Sequence, residues 1–520
     1  MPTQQGIGVY MMIDKPYRIG IVDIGSNSIR LVIYDTTPDG GYKIIKECKQ
    51  SARLSEKVNE EGILDKNEMA SIVPILKQFR KVCTTFGVDR IRAGATAAIR
   101  NASNSQEIIA FLSQESSIDI KLISGKEEAY FGFLGVINAF DIEDGFIVDI
   151  GGGSTEITLF ENRSYQTSIS LPFGAVNTNV TFGNDGNWNE EQILNLRTYV
   201  LSMLDEHKWL QSKPELPLFG LGGTIRSLGK IDQKHCNYSM PTSHRYALET
   251  DTINHLFHTL PHLSLEKRKN VNGLSKSRTD IIVSGLVIAH TVYHYIQAKH
   301  CLISGEGLRE GMLHDLLNPA QPVKPNTLEY SIQTLLAFEA EASRSHLEHV
   351  YTLSKEIYET LQGEGDTEEH KKLLYVSIML YRIGGHINYY QYNRHTHYWI
   401  MNSSIRGLTH REIILCALIS SYNTKSRKQR LSQDHQDILL PSDEVWIHKL
   451  GSLVQLCIAL DQSETQAVRS IHAEVRNKTL HLTVQSDTET WIEQEEMDNA
   501  DKVFKNAWDL KLKIDFPSIS

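Results

Sequence analysis

Two short stretches of the chain place an aspartate at the end of an apolar strand and follow it with a turn of glycines and hydroxyl-bearing residues. One begins at Asp23 and reads DIGSNS, and the other begins at Asp149 and reads DIGGGST. Glycine lets a backbone approach a phosphate closely, and successive N–H groups of a turn form a nest that binds anions. An aspartate at the strand end can hold a divalent cation that shares the phosphate oxygens. We therefore predict phosphate binding by Asp23, Gly25, Ser26, Asn27, Ser28, Gly151, Gly152, Gly153 and Ser154.

The two turns belong to an internal repeat. Residues 22–35 read VDIGSNSIRLVIYD and residues 148–161 read VDIGGGSTEITLFE, and they align without a gap at an offset of 126 residues. This offset is too long for a solenoid and suits a duplicated domain. Each copy predicts a β-hairpin. The alternative to phosphate binding is that both turns contain glycine only because a hairpin turn needs it. Because the copies match, we expect Asp23 and Asp149 to face one cleft from two lobes.

Two further glycine-rich turns follow, GLGGT at 220–224 and GEG at 305–307. Each is a weak signal alone, but together they suggest further walls of the same phosphate cleft. The candidates from the first of these turns are Gly222, Gly223 and Thr224.

A general base can be sought in the segment SGKEEA, which begins at Ser124 directly after an apolar strand. Ser124 and Glu127 have the spacing of a capping box, so Glu127 is explained as a helix cap. Glu128 has no such local role, and a carboxylate in the first helical turn can activate a water for attack. The alternative for Glu128 is a solvated charge that complements the helix dipole.

Cationic candidates are fewer. Arg100, which follows a predicted strand, offers a bidentate donor to phosphate, although a single arginine is also a common surface residue. Four cations lie within six residues at 425–430, and a long polyanion could bind there if the stretch is not simply a solvated loop. The binding candidates from this stretch are Lys425, Arg427 and Lys428.

Composition narrows the class of protein. The 520 residues are 41% hydrophobic and 22% charged, which is typical of soluble globular domains and excludes a disordered or fibrous chain. The net charge of −10 argues against a nucleic-acid coat, so a polyanion needs a local basic lining. Six scattered cysteines without a C-x-x-C pair indicate a reducing compartment. With no signal-peptide pattern and no long apolar run, we expect a cytoplasmic protein without a membrane span.

Predicted helices at 68–86 and 105–115 alternate with predicted strands at 90–95 and 118–123, which is the pattern of an α/β fold. Residues 317–329 contain three prolines and read as a linker. The pattern from 331 to about 422 is mostly helical. Strands around an Asn-Lys turn follow at 473–485, and a helix and a last strand come after them.

The chain resembles the exopolyphosphatase/guanosine pentaphosphate phosphatase family, because seven of its segments occur in the order found in that family. They are IVDIGSNSIRLVIYD, GATAAIRNASN, ISGKEEAYFGFLGV, FIVDIGGGSTEI, SLPFGAVN, LGGT and GEGLREGML. The resemblance implies duplicated ribonuclease-H-like lobes of the actin and sugar-kinase superfamily, then an all-α HD-like domain and a small α+β domain. The expected domains are a tail at 1–16, lobe I at 17–131, lobe II at 132–318, the HD-like domain at 325–465 and the last domain at 466–520.

The resemblance also implies a Mg²⁺-dependent phosphohydrolase. We further expect a homodimer that binds no nucleic acid. Matched residue by residue, Glu128 is the catalytic base, and Arg100 is the arginine of the family's A-T-x-A-x-R stretch. Asp149 and Glu156 are associated with metal and phosphate, and residues 151–154 form a phosphate loop.

The HD-like part departs from the family pattern. His349 could supply the lone histidine, but Tyr381 and Arg382 stand where an adjacent His-Asp pair is needed. The remaining histidines are His386, His395 and His397. We therefore expect no dinuclear metal site here, only a scaffold that extends the substrate channel.

The favoured function is release of orthophosphate from inorganic polyphosphate. The nearest alternative is conversion of guanosine pentaphosphate to the tetraphosphate by the same chemistry. A kinase or chaperone-like ATPase of the same superfamily fits the SGKEEA segment less well, because that segment suits water activation. A non-catalytic sensor of polyphosphate or of guanosine alarmones is the last alternative, and Glu128 and Asp149 argue against it.

Overall fold

The computed structural model describes residues 17–59, 61–183, 187–340, 342–362, 367–422 and 432–516. The chain divides into two compact units, with the boundary between Thr327 and Leu328. This boundary falls within the proline-rich segment 317–329. Among the described residues, no helix is both long enough and apolar enough to span a membrane.

The first lobe is built on a five-stranded sheet in the order β3-β2-β1-β4-β5. Its strands are β1 (Arg18–Ile24), β2 (Ser28–Thr36), β3 (Tyr42–Ser51), β4 (Arg90–Ala95) and β5 (Ile120–Leu122). Its helices are α1 (Leu54–Lys57), α2 (Lys66–Thr85), α3 (Ala97–Arg100), α4 (Ser105–Ser116) and α5 (Gly125–Ile137). Strands β1, β2 and β3 pair antiparallel, whereas β4 and β5 continue the sheet in parallel. The apolar side chains of β1 and β2 alternate into a core closed by α2 and α4.

The second lobe repeats this arrangement in a six-stranded sheet in the order β10-β11-β9-β6-β7-β8. Its strands are β6 (Gly145–Ile150), β7 (Thr155–Glu161), β8 (Ser164–Leu171), β9 (Leu218–Leu221), β10 (Ala247–Leu248) and β11 (Cys301–Ile303). Its helices are α6 (Ala175–Phe182), α7 (Glu190–Asp205), α8 (Gly222–His235), α9 (Thr250–Thr259), α10 (Leu265–Arg268), α11 (Ile282–Tyr295) and α12 (Leu308–Leu317). The order β8-β7-β6-β9-β11 mirrors β3-β2-β1-β4-β5, so the duplication predicted from the 126-residue repeat is confirmed.

The repeat extends to the strand register. Asp23 lies opposite Arg30 in the first hairpin, and Asp149 lies opposite Glu156, each 126 residues later, in the second. The GLGGT segment is a different kind of turn, because β9 runs directly into α8, which begins at Gly222. Gly222 has a φ of +84°, a conformation that favours glycine.

Helices α5 and α12 cross at two glycines. A Cβ atom at Gly135 would lie 2.7 Å from the Cα atom of Gly307, and a Cβ atom at Gly311 would overlap the carbonyl oxygen of Phe131. Both obstacles are backbone atoms, which cannot rotate away as a flexible side chain can. The close approach of these helices therefore requires glycine at both positions.

Replacing Gly135 with Ala should destabilise the first unit by about 1–3 kcal/mol, the usual cost of overpacking. Gly132, three residues earlier on the same helix, provides the control, because its Cβ atom would make an ordinary 3.5 Å contact with Leu221. Gly132→Ala should be neutral or stabilising, by up to about 1 kcal/mol, since alanine is the better helix former. Thermal and urea unfolding of both variants measure the difference. Equal stability of the two would contradict the crossing described here.

The second unit has a helical part and a small sheet. Its helices are α13 (Thr327–Glu339), α14 (Arg344–Leu361), α15 (Glu368–Leu380), α16 (Tyr392–Asn402), α17 (His410–Ser420), α18 (Asp443–Ala459) and α19 (Trp491–Trp508). Strands β12 (Val468–Arg476), β13 (Thr479–Ser486) and β14 (Lys511–Asp515) form a sheet in that order. Asn477 and Lys478 both have positive φ, as a two-residue hairpin turn requires. The hairpin, helix and last strand predicted for the tail are confirmed.

Two histidines of α14 in the second unit have different surroundings. His346 lies 2.7 Å from Asp461 through Nδ1 and 2.7 Å from the Tyr381 hydroxyl through Nε2, and both His346 and Asp461 are buried. His349 lies 2.7 Å from the carbonyl oxygen of Val468 instead. His349 thus anchors α14 to the start of β12, which is a packing role.

Candidate active site

A cleft in the first unit is lined by both lobes. Asp23 and Asp149 contribute to it from the two hairpins, and Glu128 contributes from the start of α5. The expectation that the two aspartates face one cleft is therefore confirmed. The remaining predicted residues that line it are Gly25, Ser26, Asn27, Ser28, Gly151, Gly152, Ser154, Gly222 and Gly223.

The two hairpin turns are closed by the same hydrogen bond. The N–H of Gly25 donates to the carbonyl oxygen of Ser28 at 3.2 Å, and the N–H of Gly151 donates to that of Ser154 at 3.0 Å. A Cβ atom at Gly152 would lie 2.9 Å from the Cβ atom of Ser26, so the turns approach each other directly. Glycine at 152 therefore allows the two lobes to present their turns to one ligand.

Some predicted phosphate-binding residues lie elsewhere. Thr224 is buried, and its side chain packs where a Cβ atom at Gly285 of α11 would clash with it. Gly153 does not line the cleft, and its carbonyl oxygen accepts a hydrogen bond from Asn177 at 3.3 Å. Thr224 lies within α8, and Gly153 lies just before β7. Neither residue lines the cleft, and phosphate binding by them stays a prediction. Lys425, Arg427 and Lys428 lie outside the described residues.

Glu127 closes a capping box, as predicted. Its carboxylate accepts hydrogen bonds from the backbone N–H and the hydroxyl of Ser124, at 2.8 and 2.7 Å, while Ser124 accepts from the Glu127 N–H at 3.2 Å. These hydrogen bonds from the hydroxyl and the backbone lower the pKa of Glu127. Glu127 is thus held as an ionised cap.

Glu128 lies in a different environment from its neighbour. Its side chain is only 11% exposed, and Arg100 donates to it from Nη1 at 2.6 Å. Burial raises the pKa of Glu128 to about 7 against the opposing effect of Arg100, and nearby Asp149 and Asp23 raise it further. A carboxylate with a pKa near neutrality, placed at the wall of a cleft, has the properties of a general base.

The hydrogen bonds of Arg100 go to other groups of the protein. Its Nη1 also donates to the carbonyl oxygen of Ile123 at 3.1 Å, and its Nη2 donates to the Ser170 hydroxyl at 3.4 Å. Arg100 is not among the residues that line the cleft. Its guanidinium therefore orients Glu128, and the direct phosphate contact considered from the sequence stays a prediction.

Glu156 lies behind the cleft beside this arginine. It is 3% exposed, it accepts a hydrogen bond from the Ser170 hydroxyl at 2.7 Å, and its Oε1 lies 3.6 Å from Arg100 Nη2. Burial raises its pKa well above the usual value, and so do Glu128 and Asp149. Asp149 lines the cleft itself, and burial raises its pKa to about 6. Of the two expected metal-associated carboxylates, only Asp149 reaches the cleft.

The cleft also contains four arginines that were not predicted as site residues: Arg30, Arg226, Arg278 and Arg309. Three of them follow glycine turns within a few residues, which is a signal that could have identified them. Arg278 follows no such turn. It lies against Gly223, where any Cβ atom would overlap its guanidinium.

Arg226 and Arg278 form no ion pair within 4 Å of any residue that the structure describes. Burial lowers the pKa of Arg278 to about 10, and the nearby charges of Arg226 and Arg30 lower it further. Cations that repel one another in a partly buried cleft indicate a site for an anion with more than one charge.

Comparison with known proteins identifies the family of this chain. A model described as the Ppx/GppA phosphatase family matches residues 32–320, more than half of the chain. The chain belongs to this family. A second model, for domain III of the Ppx/GppA phosphatases, matches residues 331–503 in the second unit.

Individual relatives are distant. The chain is 30% identical over 299 residues to a bifunctional 3-dehydroquinate synthase/phosphatase of Fusobacterium nucleatum, and the match covers 54% of this chain but only 44% of that protein. It is 26% identical over 301 residues to exopolyphosphatase 1 of Mycobacterium leprae, covering 57% of this chain and 88% of that one.

Solved structures support the fold. The crystal structure of the Aquifex aeolicus Ppx/GppA family member has 29% identity and a TM-score of 0.52, covering 59% of this chain and all of that one. The structure of an exopolyphosphatase from Cytophaga hutchinsonii has 24% identity and a TM-score of 0.55, covering 59% of this chain and all of that one. At this identity the likeness supports only the fold. The first unit therefore has the two-lobe α/β fold of this family. The homodimer, the cytoplasmic location and the HD-like character of the second unit stay predictions.

Proposed function

We propose that this Ppx/GppA phosphatase hydrolyses the terminal phosphoanhydride bond of inorganic polyphosphate and releases orthophosphate. The observation that carries the proposal is the convergence of Glu128, two glycine turns and four arginines on one cleft. Turn N–H groups and guanidinium groups are donors to phosphate oxygens, and repeated charge suits a chain of phosphates. Conversion of guanosine pentaphosphate remains the alternative, since the same groups would bind its terminal phosphates.

In the proposed reaction, the turns and the arginines hold the terminal phosphoryl group for in-line attack. A water oxygen forms a bond to the terminal phosphorus, while the bond from that phosphorus to the bridging oxygen breaks. Glu128 accepts the proton that the water loses, and the shortened chain leaves with the bridging oxygen. Arg100 keeps the Glu128 carboxylate in place, and the cleft's fixed donors stabilise the charge on the phosphoryl oxygens.

Magnesium is proposed as the cofactor. Within the described ranges, no group of three or more His, Cys, Asp or Glu side chains could hold a metal ion. The aspartates of the cleft still fit Mg²⁺, because Mg²⁺ is commonly held by one or two carboxylates together with substrate phosphates and water. Asp149 would hold it, with Asp23 across the cleft, and the ion would offset negative charge on the phosphate oxygens. Glu156 is engaged by Ser170 and Arg100 instead.

The experiment that tests this function measures orthophosphate release from long-chain polyphosphate, guanosine pentaphosphate and ATP, at equal concentrations of terminal phosphate and with Mg²⁺. We expect the highest kcat/KM for polyphosphate. A higher value for guanosine pentaphosphate would transfer the proposal to the alternative substrate. Release from ATP alone would favour a nucleotide phosphatase, and binding without release from any of the three would favour a sensor.

A further inference from the structure

Two cations lie directly opposite each other on neighbouring strands at the edge of the cleft. Arg30 of β2, which lines the cleft, pairs in register with Lys49 of β3. Like charges at directly opposite positions of an antiparallel pair destabilise a sheet. An anion that binds between the two side chains would remove this repulsion.

The side chain of Lys49 is on the cleft face of the sheet. Successive residues of a strand point to opposite faces, so Lys49 shares its face with Glu47 and with Arg30, and Lys46 points to the other face. The ion pair between Arg30 and Glu47, at 3.8 Å, agrees with this assignment. Strand β3 is at the edge of its sheet, so nothing in that sheet lies beyond Lys49.

Lys49 adds one more cation to a group in which one carboxylate, Glu47, already serves two arginines. Glu47 pairs with Arg309 at 3.1 Å and with Arg30, whereas Lys49 forms no ion pair within 4 Å among the residues that the structure describes. Partial burial lowers the pKa of Lys49, and the charges of Arg30, Arg278 and Arg226 lower it further. Its ammonium group therefore lies within electrostatic range of three cleft arginines.

We propose that Lys49 binds a phosphate of the substrate outside the cleft, where the chain leaves the terminal-phosphate site over the edge of β3. This inference rests on the proposed function and extends it, because it gives the chain a direction out of the cleft. Asp23, Asp149 and Glu128 mark the reacting end, and Arg30 and Lys49 mark the path outward. A substrate with only one or two phosphates ends before it reaches Lys49.

The test compares Lys49→Gln with Lys46→Gln, a matched control that removes the same charge from the same strand on the other face. Binding is measured by calorimetry in EDTA, which removes the proposed Mg²⁺ cofactor, with pyrophosphate and with polyphosphate of defined long chain length. We expect Lys49→Gln to weaken binding of the long chain about three- to tenfold at low salt, and this loss should shrink at high ionic strength. Pyrophosphate binding should not change, and Lys46→Gln should bind both ligands like the wild type.

Each result is informative about Lys49 separately from the reaction. Equal weakening by both variants would show a general charge effect and overturn the proposal, as would unchanged binding in Lys49→Gln. A loss of pyrophosphate binding as large as that of the long chain would place Lys49 at the terminal site, which also overturns it. If the wild type binds polyphosphate but does not hydrolyse it, the proposed function fails while the comparison of the two lysines still decides this inference.

Discussion

Replacing Glu128 with Gln should lower the turnover number by about two to four orders of magnitude, the usual contribution of a general base. Glutamine keeps the size of the side chain and can still contact Arg100, but its amide cannot take the proton of the attacking water. The substrate should bind almost as well as before, because the glycine turns and the arginines hold the phosphates. Steady-state kinetics with polyphosphate should therefore show a fall in kcat with little change in KM.

Glu127 provides the control for this variant because it is the adjacent residue and the same acid. Its carboxylate is occupied by Ser124 in the capping box, and Gln can also close a capping box. Glu127→Gln should keep most of the activity, with a loss of stability of at most about 1 kcal/mol. Near wild-type turnover in Glu128→Gln, or a larger loss in Glu127→Gln, would mean that the wrong carboxylate has been identified.

The second large effect is expected at Arg278. Replacing it with Gln removes a cation that has no counterion within 4 Å among the described residues, so the substrate should lose a charge-assisted contact. Hydrogen bonds to charged groups contribute about 1.5–3 kcal/mol, which corresponds to a roughly 10- to 100-fold higher KM. Stability should not fall, because Arg278, Arg226 and Arg30 repel one another in the free protein. Kinetics and urea unfolding of the same variant measure both quantities.

Lys276 serves as the control for Arg278, since it is an exposed cation of the same short helical turn, Lys276–Arg278. Lys276→Gln should leave KM within about twofold at moderate salt, because exposed charges outside the cleft are screened. A loss of stability in Arg278→Gln would contradict the account, since it would mean that the arginine supports the fold. An unchanged KM would remove Arg278 from the substrate site.

The features predicted correctly from the sequence are those that local patterns determine. In the repeat at Asp23 and Asp149, the residues that form each turn directly follow the aspartate. Each copy forms its hairpin with residues a few positions away. The cap at Glu127 depends only on Ser124, three residues earlier. These interactions form within one hairpin or one helical turn, so the local sequence is sufficient to predict them.

The features that were missed depend on contacts between distant segments. Arg100 contacts Ser170, and neither residue indicates the other in the sequence. Arg278 reaches the cleft from a turn without any glycine motif. In the second unit, His346 contacts the buried Asp461, which lies 115 residues away in the sequence. Only the packing of α14 shows that His346, rather than His349, is its fully buried histidine.

In the proposed reaction, water attacks the terminal phosphorus of polyphosphate at this cleft. The most direct test of this step is hydrolysis of a long chain in water enriched in ¹⁸O, with mass analysis of the orthophosphate and of the remaining chains. We expect each released orthophosphate to carry one ¹⁸O atom, while the chains shorten from their ends and stay unlabelled. Label in the shortened chains, or products of internal cleavage, would contradict it.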